Sequence, residues 1–583
     1  MTTRRAFTAA ILLSVVLLAA SPSEDDHAVV QWMREHAVPL KTVEAGHGFD
    51  DMEPLQRVVG NARIVALGEA THGTREFFQL KHRMLEFLAT KMGFTIFSIE
   101  ANMPEAYRLN DYVLNGNGDP AKLLKGMYFW TWDTQEVLDM VQWMREFNRS
   151  GKGRVQFTGF DMQTPDVAMG IVQDFVTKSD LGSLPKLRRA MDLVKGATLS
   201  SNATFGVVTG TFPVTLAAGK KVRFSGSIKT ENITRGWAGL WWRVDGASGV
   251  LAFDNMQERG VTGTTDWKQY QVELPVAADA KNINFGAILP GDGTAWFDDL
   301  KIELDGVPYT DTTVFDLGFE SPTPRGFYTS GNGYSVQLDP HTAHAGKQSL
   351  QMKFLPDLAP KNSVDAKTAA ASWKEVVQHM QESRAAYRDQ GLSTSDIDWA
   401  IQNARVVLQA MQMTSGEVSR DQSMADNVKW IAEQNPGAKI VLWAHNGHAA
   451  YGGWPGYEPM GSVLHKVFGD RMVNFGFAFN QGSFQAVQMG KGLRDFTVGP
   501  APAGSLDATL AATGISVFAL DLRTAKDGPV GGWLHSPHQT RSIGAIYSDD
   551  AAQQSWANQD VTQGFDALLF VEKTTAARKN PDR

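Results

Sequence analysis

The sequence contains no cysteine, and this absence excludes several kinds of chemistry together. Without thiols there is no disulfide framework, no thiolate nucleophile and no cysteine-ligated zinc or iron–sulfur site. A lipoprotein anchor is excluded for the same reason, because its lipid is carried by a cysteine. Any catalytic group must therefore come from other residue types.

Positive charge is also scarce. The 583 residues include 55 Lys and Arg against 63 Asp and Glu, which gives a formal net charge of −8. This balance argues against nucleic acid as a partner, since phosphate binding requires a basic surface. The sequence also lacks a P-loop, a dinucleotide-binding fingerprint and a G-x-S-x-G elbow, so serine catalysis is the weaker interpretation.

The first 23 residues have the features of a secretory signal peptide. Arg4 and Arg5 precede an apolar run from Ala9 to Ala20, and the polar, acidic residues 21–26 follow it. The run is shorter than the roughly 20 residues that a comfortable membrane span needs. We therefore predict cleavage near residue 23, a secreted or periplasmic location and no stable membrane span afterwards. An uncleaved anchor is the alternative.

The periodicity of apolar residues predicts three consecutive parts. Residues 28–197 and 357–575 alternate short apolar runs with helical patterns, as in a layered α/β fold. Residues 198–356 instead alternate apolar and polar residues with period two, which predicts an inserted β-sandwich. The apolar runs predicted as strands of the α/β part include Ala62–Leu67, Phe94–Ile99, Val155–Phe160, Lys439–Trp443, Ser516–Leu522 and Ala567–Val571.

Polar side chains follow three of these predicted strands. Glu69 and His72 come after the first, Glu100 after the second, and His445 and His448 after Lys439–Trp443. In open α/β sheets, ligands bind beyond the carboxyl ends of the strands. A neutral imidazole is an effective general base near pH 7, and a carboxylate can fix its tautomer and stabilise the imidazolium. These residues suit hydrolysis of an ester by activated water.

Other interpretations of the same residues remain open at this point. A histidine or glutamate after a strand can simply cap a helix or pack in the core. His445 and His448, spaced as His-x-x-His, can also ligate a metal ion, with Glu69 or Glu100 completing the shell. The spacing alone does not separate a metal-dependent hydrolase from a metal-free one.

Eight segments, in this order and spacing, carry a resemblance to a known family: Gly68–Gly73, Glu76–Lys81 (EFFQLK), Phe94–Asn102, Gly159–Gln163 (GFDMQ), Arg420–Asn427 (RDQSMADN), Trp443–His448, Arg541–Ala545 and Phe565–Leu569. Together they resemble the erythromycin esterase family. The resemblance covers about 30–196 and 360–575, and it implies an α/β fold with a helical subdomain over a deep cleft. It also implies hydrolysis of macrolide lactone rings by water, without a required metal or cofactor.

Roles for individual residues follow from that resemblance. His72 is expected to be the general base that activates water, and Glu69 and Glu100 are expected to orient His72 and the water. His445 and His448 are expected to line the cleft and to stabilise the oxyanion or the leaving alcohol.

Three further residues are expected from the resemblance to bind substrate: Lys81, Arg420 and Asp421. Lys81 departs from the family pattern, because the characterised esterases have arginine there. The charge is kept, but the fork of parallel donors is lost, which affects how substrate is oriented.

The inserted segment resembles a carbohydrate-binding jelly roll over residues 200–305. Phe315–Phe354 resembles the opening strands of such a module, so we expect a circularly permuted sandwich completed by both pieces. Its tryptophans could stack on sugars, although core packing is the favoured explanation for any one of them, and Trp242 alternates as a core residue does. A non-catalytic glycan- or envelope-binding protein is therefore a third functional hypothesis. The tryptophans are Trp237, Trp241, Trp242, Trp267 and Trp296.

Overall fold

A computed structural model describes residues 24–201, 205–246, 249–330, 333–355, 366–452, 457–488, 492–525, 528–549, 552 and 555–580. The predicted signal segment, residues 1–23, lies outside the described residues. Within the described ranges, no helix combines the length and the apolar character needed to cross a membrane.

The first segment of the chain builds strands and helices in alternation. Its strands are β1 (Val38–Pro39), β2 (Ile64–Leu67), β3 (Phe94–Asn102) and β4 (Gln156–Asp161). Its helices are α1 (Glu24–His36), α2 (Leu55–Val59), α3 (Arg75–Met92), α4 (Met103–Asn115), α5 (Pro120–Lys125), α6 (Gln135–Arg149), α7 (Asp166–Ser179) and α8 (Leu184–Ser201).

The regular secondary structure in the middle of the chain consists mainly of strands. It contains the short helix α9 (Val214–Ala217). Its strands are β5 (Gly206–Thr211), β6 (Lys221–Gly246), β7 (Gly249–Asp254), β8 (Val261–Pro275), β9 (Asn282–Leu289), β10 (Thr294–Leu304), β11 (Val307–Pro308), β12 (Phe327–Ser330), β13 (Tyr334–Asp339) and β14 (Ser349–Phe354).

The last segment returns to alternating elements. Its helices are α10 (Ala366–Glu382), α11 (Arg384–Asp389), α12 (Thr394–Ser415), α13 (Arg420–Gln434), α14 (Asn446–Ala449), α15 (Met460–Phe468), α16 (Leu506–Ala511), α17 (Gly528–Leu534) and α18 (Val561–Gly564). Its strands are β15 (Lys439–Trp443), β16 (Met472–Gln488), β17 (Gly492–Val498), β18 (Val517–Asp521), β19 (His538–Arg541), β20 (Trp556–Gln559) and β21 (Ala567–Thr574).

One mixed sheet joins the first and last segments. Its order is β1-β18-β21-β16-β2-β15-β3-β4, with β17 paired to β16. β15 lies between β2 and β3 and is parallel to both. The strands β2 and β15 are buried apolar runs because helices cover both faces of the sheet. The predicted α/β fold is confirmed at the level of a mixed α/β architecture.

Alternate residues of β2 enter two different hydrophobic cores. Val65 and Leu67 pack with residues of α3 and α6 on one face of the sheet. Ile64 and Ala66 pack with residues of α7, α8, α10 and α12 on the other face. The period-two alternation of a strand therefore places the sheet between two helical layers.

Strands β5–β14 form a separate antiparallel unit. Its order is β12-β5-β9-β6-β10-β14-β13, with β7 and β8 paired to β6 and β11 paired to β10. Pairing of β12 with β5, and of β14 with β10, joins the two pieces that the sequence suggested belong together. The unit has its own core, in which Trp242 is fully buried against Phe212, Phe224 and Phe285. Its jelly-roll character and its limits at 198–356 remain predictions.

Candidate active site

Three parallel strands end beside one another and carry the predicted site residues. Leu67 of β2 pairs in register with Trp443 of β15, and Trp443 pairs with Ile99 of β3. Glu69, Glu100 and His445 therefore emerge at the same edge of the sheet, although Glu69 and His445 are far apart in sequence. This is the edge at which ligands bind in open α/β sheets.

His72 and Glu69 form a buried pair. The Nδ1 of His72 lies 2.7 Å from Glu69 Oε1, and His72 is 8% exposed while Glu69 is fully buried. Since a carboxylate only accepts, Nδ1 carries the proton and donates it to Glu69. This tautomer leaves Nε2 as the nitrogen that can take a proton from water.

Lys81 and Trp443 hold the other oxygen of Glu69. The Nζ of Lys81 donates to Oε2 over 2.6 Å, and the Nε1 of Trp443 donates over 2.8 Å. Burial opposes the charge on Glu69, but Lys81 and His72 outweigh it and hold its pKa below the ordinary value. Burial also lowers the pKa of Lys81 to about 8, against the attraction of Glu69.

The position of Lys81 corrects its predicted role. Its side chain has no solvent exposure, and its ammonium lies on Glu69 and 4.3 Å from the ring centre of Trp443. A side chain so enclosed does not reach a substrate. Lys81 therefore stabilises the charge of Glu69 through its Oε2, which accounts for a charged residue on the buried face of α3.

Glu100 lies in a second charged cluster. The Nη2 of Arg420 donates to Glu100 Oε1 over 2.8 Å and to Asp161 Oδ2 over 2.7 Å. The backbone N–H of His445 donates to the other Glu100 oxygen over 2.9 Å. Burial raises the pKa of Glu100, but His448 and Arg420 hold it far below its ordinary value, so the carboxylate stays charged.

His448 forms a second imidazole–carboxylate pair, here with Asp421. Its Nδ1 donates to Asp421 Oδ1 over 2.8 Å. Its Nε2 lies 3.1 Å from Arg420 Nη1 and 3.6 Å from Glu100 Oε1. Burial would lower the pKa of His448, but Glu100 and Asp421 raise it above the ordinary histidine value. Asp421 is buried, and its carboxylate is taken up by protein donors, so its role is to orient His448. The prediction that Asp421 contacts substrate is therefore wrong.

The ring of His445 is fully engaged by backbone groups. Nδ1 accepts from Gly447 N–H over 3.1 Å, so Nε2 carries the proton and donates to the carbonyl of Ile543 over 3.2 Å. Burial, together with His72 and His448, lowers the pKa of His445 to about 3. The imidazole is thus neutral and has no donor left for an oxyanion. The predicted direct role of His445 is wrong in this arrangement, and its ring instead packs 5.0 Å from that of His72.

An aromatic loop between α5 and α6 places Trp132 beside His72. The ring of Trp132 meets His72 edge-on at 6.1 Å, and its Nε1 donates to the carbonyl of Glu100. Four residues earlier, Tyr128 is 69% exposed and has a left-handed backbone with φ of 63°. For a non-glycine residue such a conformation is strained, and strain of this kind clusters at functional sites.

Sequence reasoning missed three contributors to this site. Asp161 lies in the quoted GFDMQ segment, but nothing in that segment indicated that it shares Arg420 with Glu100. Trp132 lies in an aromatic-rich stretch, YFWTW, which was the available signal. Tyr457 donates to Asp421 Oδ2 over 3.0 Å and had no sequence signal, because no strand or motif precedes it.

Across the part of the chain that the structure describes, no group of three or more His, Asp or Glu side chains is arranged to hold a metal ion. Lys81 and Arg420 occupy the carboxylates that would complete a His-x-x-His shell.

The tryptophans of the β unit do not form an exposed stacking face. Trp242 lies in the core and Trp296 is 7% exposed, with its Nε1 donating to Asp339. Trp237, Trp241 and Trp267 are half-buried. Core packing accounts for Trp242, as its alternation suggested.

With this geometry established, comparison with known proteins assigns the family. The family model described as erythromycin esterase matches residues 89–207 and 336–574, which is more than half of the chain. The chain belongs to the erythromycin esterase family.

The chain is also similar to individual proteins and to solved structures. Erythromycin esterase type II of Escherichia coli is 30% identical over 172 residues, which are 28% of this chain and 40% of that protein. The chain thus spans less than half the length of this curated relative. A solved structure of a Bacillus cereus protein is 20% identical with a TM-score of 0.59, covering 96% of this chain and 100% of that one. A second, described as a succinoglycan biosynthesis protein, is 20% identical with a TM-score of 0.58 and the same coverage. At this identity the likeness concerns the fold alone.

Proposed function

We propose that this protein is an exported, metal-independent ester hydrolase in which His72 activates a water molecule. The observation that carries the proposal is the buried His72–Glu69 pair, because it fixes Nδ1 as the donor and reserves Nε2 for the proton of water. Family membership supports the same reaction. Export rests on the predicted signal segment, residues 1–23.

Each of the two imidazole–carboxylate pairs acts in a different step of the reaction. His72 Nε2 takes a proton as the water oxygen attacks the acyl carbon, and Glu69 stabilises the resulting imidazolium. The tetrahedral intermediate then collapses, and the carbon–oxygen bond to the alcohol breaks. His448 is protonated more readily than an ordinary histidine because Glu100 and Asp421 attract its charge. In its protonated form His448 gives the leaving alkoxide the proton of Nε2, which exchanges its contact with Glu100 for the substrate oxygen. His72 afterwards returns its own proton to His448 through water.

We also propose that the substrate is a bulky ester or macrolactone. The exposed, strained Tyr128 lies on the loop that ends at Trp132 beside His72. Four residues span at most about 14 Å, so Tyr128 lies within reach of a large substrate bound at His72. A flat aromatic face of this kind suits the apolar face of a ring. Binding of glycans by the β unit has no comparable support, because its tryptophans are buried or half-buried.

A panel of small aryl esters and large macrolactones tests the proposal. We expect the purified protein to open at least one ester or lactone, with a higher kcat/KM for bulky substrates, and to keep its activity after dialysis against a chelator. Loss of activity on chelation, restored by a divalent ion, would favour the metal-dependent alternative. Absence of hydrolysis across the panel would contradict the proposal.

The pH dependence of kcat/KM should reflect the protonation of Lys81. Above its pKa of about 8, the lysine loses its proton and Glu69 loses its buried cation. We therefore expect kcat/KM to fall above pH about 8. In Lys81→Arg the charge persists at every accessible pH, so the loss of activity that follows deprotonation of Lys81 should disappear, whereas the loss that follows deprotonation of His448 should remain. The measurement is kcat/KM from pH 6 to 10 for both proteins; identical alkaline limbs in the two proteins would contradict the role of Lys81.

A further inference from the structure

The carboxylate of Asp421 is held by donors from three separate places. Oδ1 accepts from His448 Nδ1 and from the backbone N–H of Met460, both over 2.8 Å. Oδ2 accepts from the hydroxyl of Tyr457 over 3.0 Å. Asp421 itself is 2% exposed, so these donors stand in for water.

Tyr457 also touches the turn that carries His448. Its hydroxyl oxygen lies 3.3 Å from His448 Nδ1 and 3.5 Å from the carbonyl of Gly447. The single hydroxyl proton is best placed on Asp421 Oδ2, the nearest of these acceptors. Tyr457 therefore joins the carboxylate on α13 to the imidazole on α14.

We propose that Tyr457 is a positioning residue that holds Asp421 in line with His448 and withdraws part of the carboxylate's charge. The inference deepens the proposed function, since it rests on His448 acting as the proton donor to the leaving alcohol. Without the hydroxyl, Asp421 keeps more of its charge and binds the proton of His448 more tightly. His448 would then release that proton less readily.

Other charged groups around His448 set the background for this effect. Glu100 and Arg420 face Nε2 at 3.6 and 3.1 Å, and Asp421 and Tyr457 face Nδ1. His445, on the same turn, stays neutral and adds no charge. Replacing Tyr457 with phenylalanine removes one hydroxyl and no formal charge, so it isolates the effect of that hydroxyl on His448.

The test is titration of His448 by NMR in protein labelled at histidine. The signal is assigned from its loss in His448→Gln. In Tyr457→Phe we expect the pKa of His448 to rise by about half a unit or more, because one donor to its carboxylate partner is gone. Asp421→Asn should move it the opposite way, since the negative charge itself is removed.

Tyr451→Phe is the matched control. Tyr451 also donates to a half-buried carboxylate, that of Asp566, over 2.6 Å, but among the described residues its hydroxyl forms no hydrogen bond with His448 or Asp421. It should lose a comparable hydrogen bond without moving the titration of His448. An unchanged or lower pKa in Tyr457→Phe, or an equal rise in Tyr451→Phe, would overturn the proposal.

Kinetics separate this proposal from the proposed function. If Tyr457 positions the donor, Tyr457→Phe lowers kcat about tenfold with little change in KM, because the interaction acts on the chemical step. A wild-type protein that cleaves no ester, yet whose His448 shifts as described, would refute the esterase function alone. An active wild type with an unmoved His448 would refute the role of Tyr457 alone.

Discussion

Replacing His72 by alanine should lower kcat/KM for ester hydrolysis by at least about 10²–10⁴-fold, the usual contribution of a general base. The variant loses the proton acceptor that Glu69 orients, while Glu69 remains paired with Lys81 and Trp443. The loss should appear in kcat more than in KM, because water activation belongs to the transition state. Steady-state kinetics on the best substrate of the panel measure it.

A histidine–carboxylate pair outside the site provides the control for this variant. His379 on α10 has its Nε2 2.6 Å from Oδ2 of Asp180, which directly follows α7 and is remote in sequence from the three strand ends. His379→Ala should leave kcat/KM within about twofold of the wild type, since surface pairs of this kind contribute little. Equal losses in both variants would indicate a general effect on folding, and full activity in His72→Ala would remove the assigned base.

The strands and the strand-end residues could be predicted because their causes are local. Lys439–Trp443 is an apolar run bounded by polar residues, and β15 has the same limits. The parallel arrangement then follows from helices between strands, and it brings Glu69, Glu100 and His445 to one edge. Pattern and topology together were sufficient to nominate the site.

The roles within the site could not be predicted, because they depend on which partner each side chain meets. His445 and His448 are three residues apart and look equivalent in the sequence. In the fold, backbone groups engage both nitrogens of His445, whereas His448 faces Glu100, Asp421 and Arg420. Lys81 was likewise predicted to contact substrate, but α3 places its ammonium on Glu69, where both side chains are fully buried.

The charges around the two imidazoles explain why they can become protonated. Glu69, Glu100, Asp161 and Asp421 are buried carboxylates, and the lysine and arginine side chains that pair with them are Lys81 and Arg420. The four acids thus outnumber these two cations. A proton on His72, on His448 or on both reduces the excess of negative charge. Imidazolium formation during the reaction is therefore stabilised by groups already in place.

Arg420 should be the residue on which the stability of this cluster depends most. Its guanidinium joins Glu100 and Asp161, which are 5% and 0% exposed at their side chains. Arg420→Met leaves both carboxylates buried without their cation, and breaking such a pair typically costs about 3–5 kcal/mol. We expect a loss of that size in the free energy of unfolding measured with urea, together with loss of ester hydrolysis.

Two comparisons make this expectation specific. Arg149→Met removes an exposed arginine paired with Glu146 and should change the free energy of unfolding by less than about 1 kcal/mol. Combining Arg420→Met with Glu100→Gln and Asp161→Asn removes the stranded charges, so stability should return while hydrolysis stays absent. If Arg420→Met alone costs no more than Arg149→Met, the carboxylates do not depend on Arg420. In that case the buried carboxylates must be neutralised by taking up protons, and the pKa of Glu100 in the variant would be raised.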